Sequence, residues 1–547
     1  MSVKDGQIDR IEDRAGRGKT ASLRQARVGQ VAGRFGGALL SGVLLAACFP
    51  NYSLAWLVWV APLPLLLVLL LEPSLKRAYL LGAISGAVFL ALSVYWIALV
   101  MKNYGNMSWA AAMGVMAAFL IADSSYWGFF ALATCWVARR SRMLALVAAL
   151  FLWVAMEVAE TYGYFGGFPW NLLGYGVQAV GLRQIATVTG VYGLSFLAIA
   201  TSALAVWLIL EPRSVRRRVA MAAWVAALAI ANHALRPPAP SEGSERTILV
   251  QPNVPLNEAA DVWAPWRNRV PVDHLAQISL DKLREAPASS GTPAGPPFVI
   301  WSENSAPFYF NRDPVFRTAV ENLARESDAY LIVGATNFAG AGNTQPLNSA
   351  IVLDPSGSVL LQYAKIHLVP FGEYVPAWLD HVVGKITSEA GNFVPGTSYA
   401  SATAGRGRIG VFICYEEVFP QLVRRLTPRG PSVLVNISDD AWYGDSSAAF
   451  QTMEMARLRA IENRRYLLRS TNDGVTDIID PYGRVRETLP RHEQAALAGR
   501  FDFRSDETFY TAHGDVFAWS CVALAGILAV ARLLQNRASL NTEAQRH

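Results

Sequence analysis

The apolar residues of this chain are pooled rather than spread. Crossing a bilayer takes roughly 17–25 apolar residues. Runs of that kind fall near 34–49, 53–72, 78–100, 108–138, 143–160, 185–211 and 217–235, and one more lies near 516–534. Between about 245 and 505 they stop, and charges, turns and short apolar stretches alternate as in a globular domain. Only 16% of the 547 residues are charged, whereas soluble domains carry about a quarter. The pattern predicts a polytopic helical membrane bundle of about eight spans with one large α/β domain inserted before the last span. The expected boundaries are a basic cytoplasmic tail at 1–33, seven spans over 34–235, a globular domain over 245–505, a last span at 516–534 and a cytoplasmic tail at 535–547. Asp123, inside the fourth run, is costly in lipid and is expected to face the bundle interior.

Orientation follows from the bases in short loops, which favour the cytoplasmic side. The N-terminal tail carries Lys4, Arg10, Arg14, Arg17, Lys19, Arg24, Arg27 and Arg34. The even connections hold Lys76 and Arg77, then Arg139, Arg140 and Arg142, then Arg213, Arg216, Arg217 and Arg218. The odd ones are nearly free of bases: 51–53 has none and 101–107 has only Lys102. Both termini are therefore expected inside and the globular domain outside. The formal charge of +6 is mostly this topology signal. Nucleic-acid binding would need the bases on one soluble face, and no nucleic-acid partner is expected.

Two short N-terminal patterns invite other readings. Gly16-Arg17-Gly18-Lys19-Thr20 echoes a phosphate-binding loop, but the glycine required six residues before the lysine is Asp13. Leu45-Ala46-Ala47-Cys48 resembles a lipoprotein processing site, yet it sits too deep in the chain for a signal peptide. Of the four cysteines, Cys48, Cys135 and Cys521 fall in expected spans, where cysteine packs as a small hydrophobe. Cys414 alone lies in the globular domain, so it has no disulfide partner there. No His–Cys cluster has zinc-ligand spacing, and no metal is expected.

Within that domain, 247–250, 298–301, 330–333, 349–353, 409–413 and 433–436 read as buried strands: short, continuous and rich in β-branched residues. Residues 313–327 and 448–463 have helical spacing, and Asp354-Pro355-Ser356-Gly357 and Asp480-Pro481-Tyr482-Gly483 read as hairpin turns. Three chemically able side chains then stand just past strands: Glu303, Lys365 and Cys414. Sites in α/β sheets gather at such strand ends. Cys414 is followed at once by Glu416 and Glu417, which discourage thiolate formation; a helix starting there and the charge of Lys365 could oppose them, with Glu303 as the base.

These residues carry a resemblance. Trp301-Ser302-Glu303-Asn304, the stretch Tyr363-Ala364-Lys365-Ile366-His367 running on to Gly372-Glu373-Tyr374, and Ile413-Cys414-Tyr415-Glu416 resemble, in order, the Glu, Lys and Cys motifs of the nitrilase (carbon–nitrogen hydrolase) superfamily. With the spans and the stretches 168–175, 436–444, 455–460 and 471–474, the chain resembles one membrane branch, the apolipoprotein N-acyltransferase family. The resemblance implies an αββα sandwich. It implies a phospholipid acyl donor, a thioester on Cys414 and, as acceptor, the α-amine of the diacylglyceryl-cysteine that begins an apolipoprotein. Glu303 would be the base and Lys365 the oxyanion partner; Glu373, Tyr415, Glu416, Asn348 and Trp263 would support the site. No cofactor is implied. The location implied is a bacterial inner membrane, with the catalytic domain periplasmic.

The sequence departs from the family pattern at Ser302, where proline is usual, at Asp439 and Asp473, where asparagine is usual, and at Thr452, where histidine is usual. Two other readings stay open. One is a membrane-tethered amidase with water as the second nucleophile. The other is a scaffold without catalysis.

Overall fold

The computed structural model describes residues 29–105, 107–254, 270–285, 295–305, 309–339, 342, 344–374, 393–426 and 430–544. The apolar half is helical: α1 (Gly29–Ala47), α2 (Leu63–Leu71), α3 (Leu75–Ser93), α4 (Trp96–Asn103), α5 (Trp109–Ala138), α6 (Arg142–Tyr162), α7 (Val191–Leu210) and α8 (Val215–Ala234). Serine hydroxyls cap three starts: Ser74, Ser108 and Ser141 accept from the N–H of Arg77, Ala111 and Leu144. At the basic end Glu72 pairs with Arg34 and Arg77, tying α1, α2 and α3 together. Asp123 is buried.

The expected count of about eight spans is not confirmed. Among the described residues, six helices are long and apolar enough to cross a membrane: α1, α3, α5, α6, α7 and the C-terminal α13 (Val516–Ala544), of which Val516–Gln535 is the apolar part. The run at 53–72 gives only Ala55–Leu71, a 3-10 turn followed by α2. At 1.5 Å per residue that is about 25 Å, short of the ~30 Å hydrocarbon core. The run at 217–235 gives α8, which has Arg216, Arg217 and Arg218 in its first turn and Asn232 and His233 near its end; only 219–231 between them is apolar. The run at 78–100 is also divided, since α3 ends at Ser93 and α4 begins at Trp96.

The rest forms two six-stranded sheets. The first holds β1 (Glu245–Gln251), β2 (Phe298–Trp301), β3 (Tyr330–Ala339), β4 (Gln345–Leu353), β5 (Val359–Ala364) and β12 (Ala495–Phe501), in the order β12-β1-β2-β3-β4-β5. The second holds β6 (Ser401–Ala404), β7 (Gly407–Ile413), β8 (Val433–Ser438), β9 (Leu467–Thr471), β10 (Asp477–Ile479) and β11 (Val485–Thr488), in the order β11-β10-β9-β8-β7-β6. Strands β1–β3 and β7–β9 are parallel, and the outer strands antiparallel. Both turn-marked hairpins, β4–β5 and β10–β11, are present.

Period-two alternation explains the layering. Ile248, Val250, Val299, Trp301, Leu331 and Val333 form one core with α9 (Val270–Glu285) and α10 (Pro314–Ser327). Their neighbours Leu249, Ile300 and Ile332 point the other way and join Ile409, Val411, Val433 and Val435 of the second sheet. Ser470 ties the sheets by donating to the carbonyls of Val250 and Ile300. The helices α11 (Pro420–Leu426) and α12 (Ala448–Asn463) belong to the second sheet's connections.

Candidate active site

Three strand ends deliver the candidate residues. Glu303 follows β2, Lys365 follows β5, and Cys414 follows β7. Asn348 lies in β4, and its backbone carbonyl accepts the N–H of Lys365. Glu303, Lys365 and Cys414 are all buried, as is Asn348.

The charged part is fully cross-linked. The Asn348 Nδ2 donates to Glu303 Oε1 and to Glu373 Oε1, each at 2.6 Å. Lys365 Nζ lies 3.0 Å from Glu373 and 3.4 Å from Glu303. Two backbone N–H groups finish the carboxylates: Asp439 donates to Glu303 Oε2 at 2.8 Å and Val369 to Glu373 Oε2 at 2.7 Å. Burying charge is costly unless it is paired and hydrogen-bonded, and here each charge is both. Burial alone would lower Lys365, but Glu303 and Glu373 hold its pKa well above the ordinary lysine value.

Cys414 has φ +50°, a left-handed backbone that turns the chain sharply out of β7. Its thiol is pushed well above its usual value, by burial first and by the Glu303 carboxylate second; Lys365 pulls the other way. The sequence expectation set a helix start and Lys365 against Glu416 and Glu417, with Glu303 as the base that takes the thiol proton. The helix is only the five-residue 3-10 turn Cys414–Val418, and the carboxylate that matters is Glu303. The resting thiol carries its proton, with a base beside it.

The two carboxylates after Cys414 face away from this chemistry. Glu416 accepts the N–H groups of Ile413 (2.7 Å), Ile366 (2.6 Å) and His367 (3.1 Å) and the Tyr363 hydroxyl (2.9 Å). Burial pushes its pKa up to about 7 while these donors pull it down; an oxygen pair facing only donors suits the anion. Glu416 thus fastens the Lys365 loop to the Cys414 turn. Glu417 pairs with Arg469, which also holds Asp440 at 2.9 Å. His367 stacks on Phe419 at 3.7 Å, and burial with Lys365 nearby lowers its pKa to about 4, so it is neutral. Trp263 lies outside the described residues.

Asp439 and Tyr443 carried no individual role from the sequence, whereas Phe168-Pro169-Trp170 reads there as an interfacial aromatic anchor or as the lining of a lipid entrance. Asp439 acts through its backbone N–H on Glu303, while its own carboxylate accepts from Asn472 at 2.9 Å and its pKa is pushed up to about 8, by burial first and Glu303 second. Trp170 is buried and stacks near Tyr415 at 6.2 Å. Tyr443 packs against Trp96 and Trp170, at 4.9 and 6.1 Å. The stretches 168–175, 436–444 and 471–474 were marked by resemblance, and that was the available signal. The Tyr415 hydroxyl reaches the Gly167 carbonyl at 3.5 Å. Gly167 has φ +98°, and a Cβ there would strike the Thr161 carbonyl, so glycine lets this loop close on the bundle.

The arrangement offers a thiol, a carboxylate base, a fixed cation and an apolar side: the parts of covalent acyl transfer. Comparison with known proteins points the same way. The family model for the apolipoprotein N-acyltransferase N-terminal domain matches residues 41–204, and that for carbon-nitrogen hydrolase matches residues 281–503. The apolipoprotein N-acyltransferase of Geobacter metallireducens is 37% identical over 506 residues, covering 90% of this chain and 94% of that protein. That of Methylococcus capsulatus is 32% identical over 519 residues, covering 92% and 97%. That of Bradyrhizobium diazoefficiens is 33% identical over 430 residues, covering 75% and 77%. Through these matches, which run from the bundle through the sheets, the chain belongs to the apolipoprotein N-acyltransferase family.

Proposed function

We propose that this enzyme moves an acyl chain from a membrane phospholipid to the α-amine of a diacylglyceryl-cysteine at the start of a lipoprotein. The observation that carries the reading is the joint burial of Glu303, Lys365 and Cys414 just past the ends of β2, β5 and β7, with Glu303 and Lys365 hydrogen-bonded. Cys414 attacks the ester carbonyl as its proton passes to Glu303. The Lys365 ammonium steadies the oxyanion. The tetrahedral adduct collapses, the lysophospholipid alkoxide leaves with the proton from Glu303, and a thioester remains. The acceptor amine then attacks the thioester, Glu303 takes its proton, the C–S bond breaks, and Glu303 passes the proton to the leaving sulfur, which restores the thiol. An amide replaces an ester, so no nucleotide is needed.

The membrane setting is part of the proposal. Five span-length helices precede β1 and one follows the sheets. Five crossings alone would leave the bases at 76–77, 139–142 and 213–218 outside. Glu72, paired with Arg34 and Arg77, brings the end of α2 back beside the start of α1, so we take α2 and α8 to complete seven crossings, which put the domain across the membrane from the N-terminal tail. With the basic loops inside, both ends are cytoplasmic and the domain is periplasmic. The sheets run from Glu245 to Phe501.

Intact mass of the detergent-purified enzyme after incubation with one defined phospholipid tests the reaction. The expected result is a hydroxylamine-labile acyl adduct on Cys414 that a diacylglyceryl-cysteine peptide discharges by forming an amide. Discharge to water alone would make the enzyme a lipid hydrolase instead.

A further inference from the structure

One side-chain amide joins the bundle to the reaction centre. Gln451, in the first turn of α12, is 1% exposed. Its Oε1 accepts the indole N–H of Trp170 at 2.7 Å and of Trp96 at 3.3 Å. Its Nε2 faces the carbonyls of Pro50 (2.9 Å) and Ser93 (2.8 Å) and the Ser447 hydroxyl (3.0 Å). An amide has two donor hydrogens and one acceptor oxygen, so its capacity is used in full. The partners come from the ends of α1 and α3, the start of α4 and the loop after α6. A buried amide of this kind fixes one arrangement, because any other leaves polar groups unpaired.

What it fixes is a wall of rings. Trp96 and Trp170 meet at 4.8 Å, and Phe168 stacks on Trp170 at 5.5 Å. Trp170 then lies against Tyr415, the residue after Cys414, and Tyr443 closes on both tryptophans. The Tyr443 phenol is within electrostatic reach of the Cys414 thiol. Glu303 takes its hydrogen bonds from different groups: Asn348, Lys365 and the Asp439 backbone.

We infer that Gln451 is a positioning residue for the first half of the reaction: through Trp170 and Trp96 it sets the aromatic wall along which the donor's acyl chain reaches the Cys414 thiol. This rests on the acyl-enzyme reading above. A donor chain must be captured from the bilayer and laid beside the sulfur, and apolar contact with rings is what holds it. Once the thioester has formed, the chain is covalently held. The second half then depends on the amine and on Glu303, which have no share in this amide.

The test separates the halves. Gln451→Met keeps the volume and removes every hydrogen bond. Adduct formation on Cys414 is timed by intact mass across a phosphatidylethanolamine series in mixed micelles. Discharge of a preformed adduct to a diacylglyceryl-cysteine peptide is timed separately. Adduct formation should fall by about tenfold or more, through a higher KM for the phospholipid, with discharge within about twofold. Trp170→Phe, which keeps a ring and drops the N–H, should fall less, and the double variant should be no slower than Gln451→Met alone. If Gln451→Met cannot be purified folded, Trp170→Phe with Trp96→Phe carries the same ratio test. Equal losses in both halves would make the amide merely structural and overturn the inference, as would unchanged adduct formation. A wild-type enzyme that forms no adduct would overturn the acyl-enzyme reading itself, an outcome recognisable without any variant.

Discussion

The two sides of Cys414 are built from different materials. On one side lie Glu303, Lys365, Glu373 and Asn348, a cluster in which every charge is paired. On the other lie Trp96, Trp170, Tyr415 and Tyr443, where contact is between rings. The charged side comes entirely from strands and loops of the globular domain. The aromatic side is shared between that domain and the bundle. The difference suggests a division of labour in which proton traffic is settled within one domain, while access for an apolar chain depends on how the two parts meet.

The largest expected effect removes the atom between the two sides. Cys414→Ser should lower acyl transfer by about 10⁴-fold or more and leave no hydroxylamine-labile adduct, read by intact mass. Retained transfer with the adduct absent would dismiss the thioester. Next, Glu303→Gln breaks the charged side alone. Loss of the base should cost ~10²–10⁴-fold in transfer. The sign for the thiol is opposite: Glu303 pushes the Cys414 pKa up, so removing its charge lets that pKa fall, and alkylation of Cys414 by iodoacetamide at pH 8 should speed up. Slower alkylation would mean that Glu303 already activates the resting thiol.

A smaller effect is expected at Glu373, which shares Lys365 and Asn348 with Glu303. Glu373→Gln keeps an acceptor but loses a charge-assisted bond worth roughly 1.5–3 kcal/mol. Transfer should fall by about 10–100-fold, in kcat rather than in the KM for phospholipid. A change in KM alone would blur the boundary between the two sides. The mildest is Asp439→Asn, because the useful group there is the backbone N–H. With its pKa raised to about 8 in the folded protein against ~3.9 unfolded, the parent holds a proton that the unfolded chain releases. That contribution is lost as pH rises from about 4 to about 8. The variant should therefore match the parent's thermal midpoint near pH 4 and exceed it near pH 8, with transfer within about threefold.

Glu303 and Lys365 on the charged side were legible from the sequence because they sit just beyond apolar runs, and a strand end is a place that local pattern can mark; Asn348, inside β4, and Glu373 came only from the resemblance. Both hairpins were legible through Asp-Pro-x-Gly turns. The aromatic side was legible only in part: Tyr415 and the stretches holding Trp170 and Tyr443 were marked, but not what joins them. Gln451 meets Pro50, 401 positions earlier, and Ser93, 358 earlier, and nothing local to Gln451 announces either. The count of about eight spans is not confirmed because a hydropathy run does not show how long or how apolar its helix is: Ala55–Leu71 is short and α8 has three arginines in its first turn. The run at 78–100 also hides a break that leaves the count unchanged: α3 ends at Ser93 and α4 begins at Trp96, whose indole turns to Gln451. Cys414 was found, with Glu303 as its base, but the sequence assigned the carboxylates that raise the thiol to Glu416 and Glu417 rather than to Glu303, which is distant in sequence and close in space.

The left-handed backbone at Cys414 also limits what could ever replace it. A φ of +50° is tolerated by an unbranched side chain at modest cost, but a β-branched one is a genuine outlier there. Serine fits the position and threonine does not. The corner that presents the sulfur therefore closes one route open to other acyl-transfer enzymes, a threonine hydroxyl as nucleophile, and confines any natural or engineered exchange at this position to small unbranched residues.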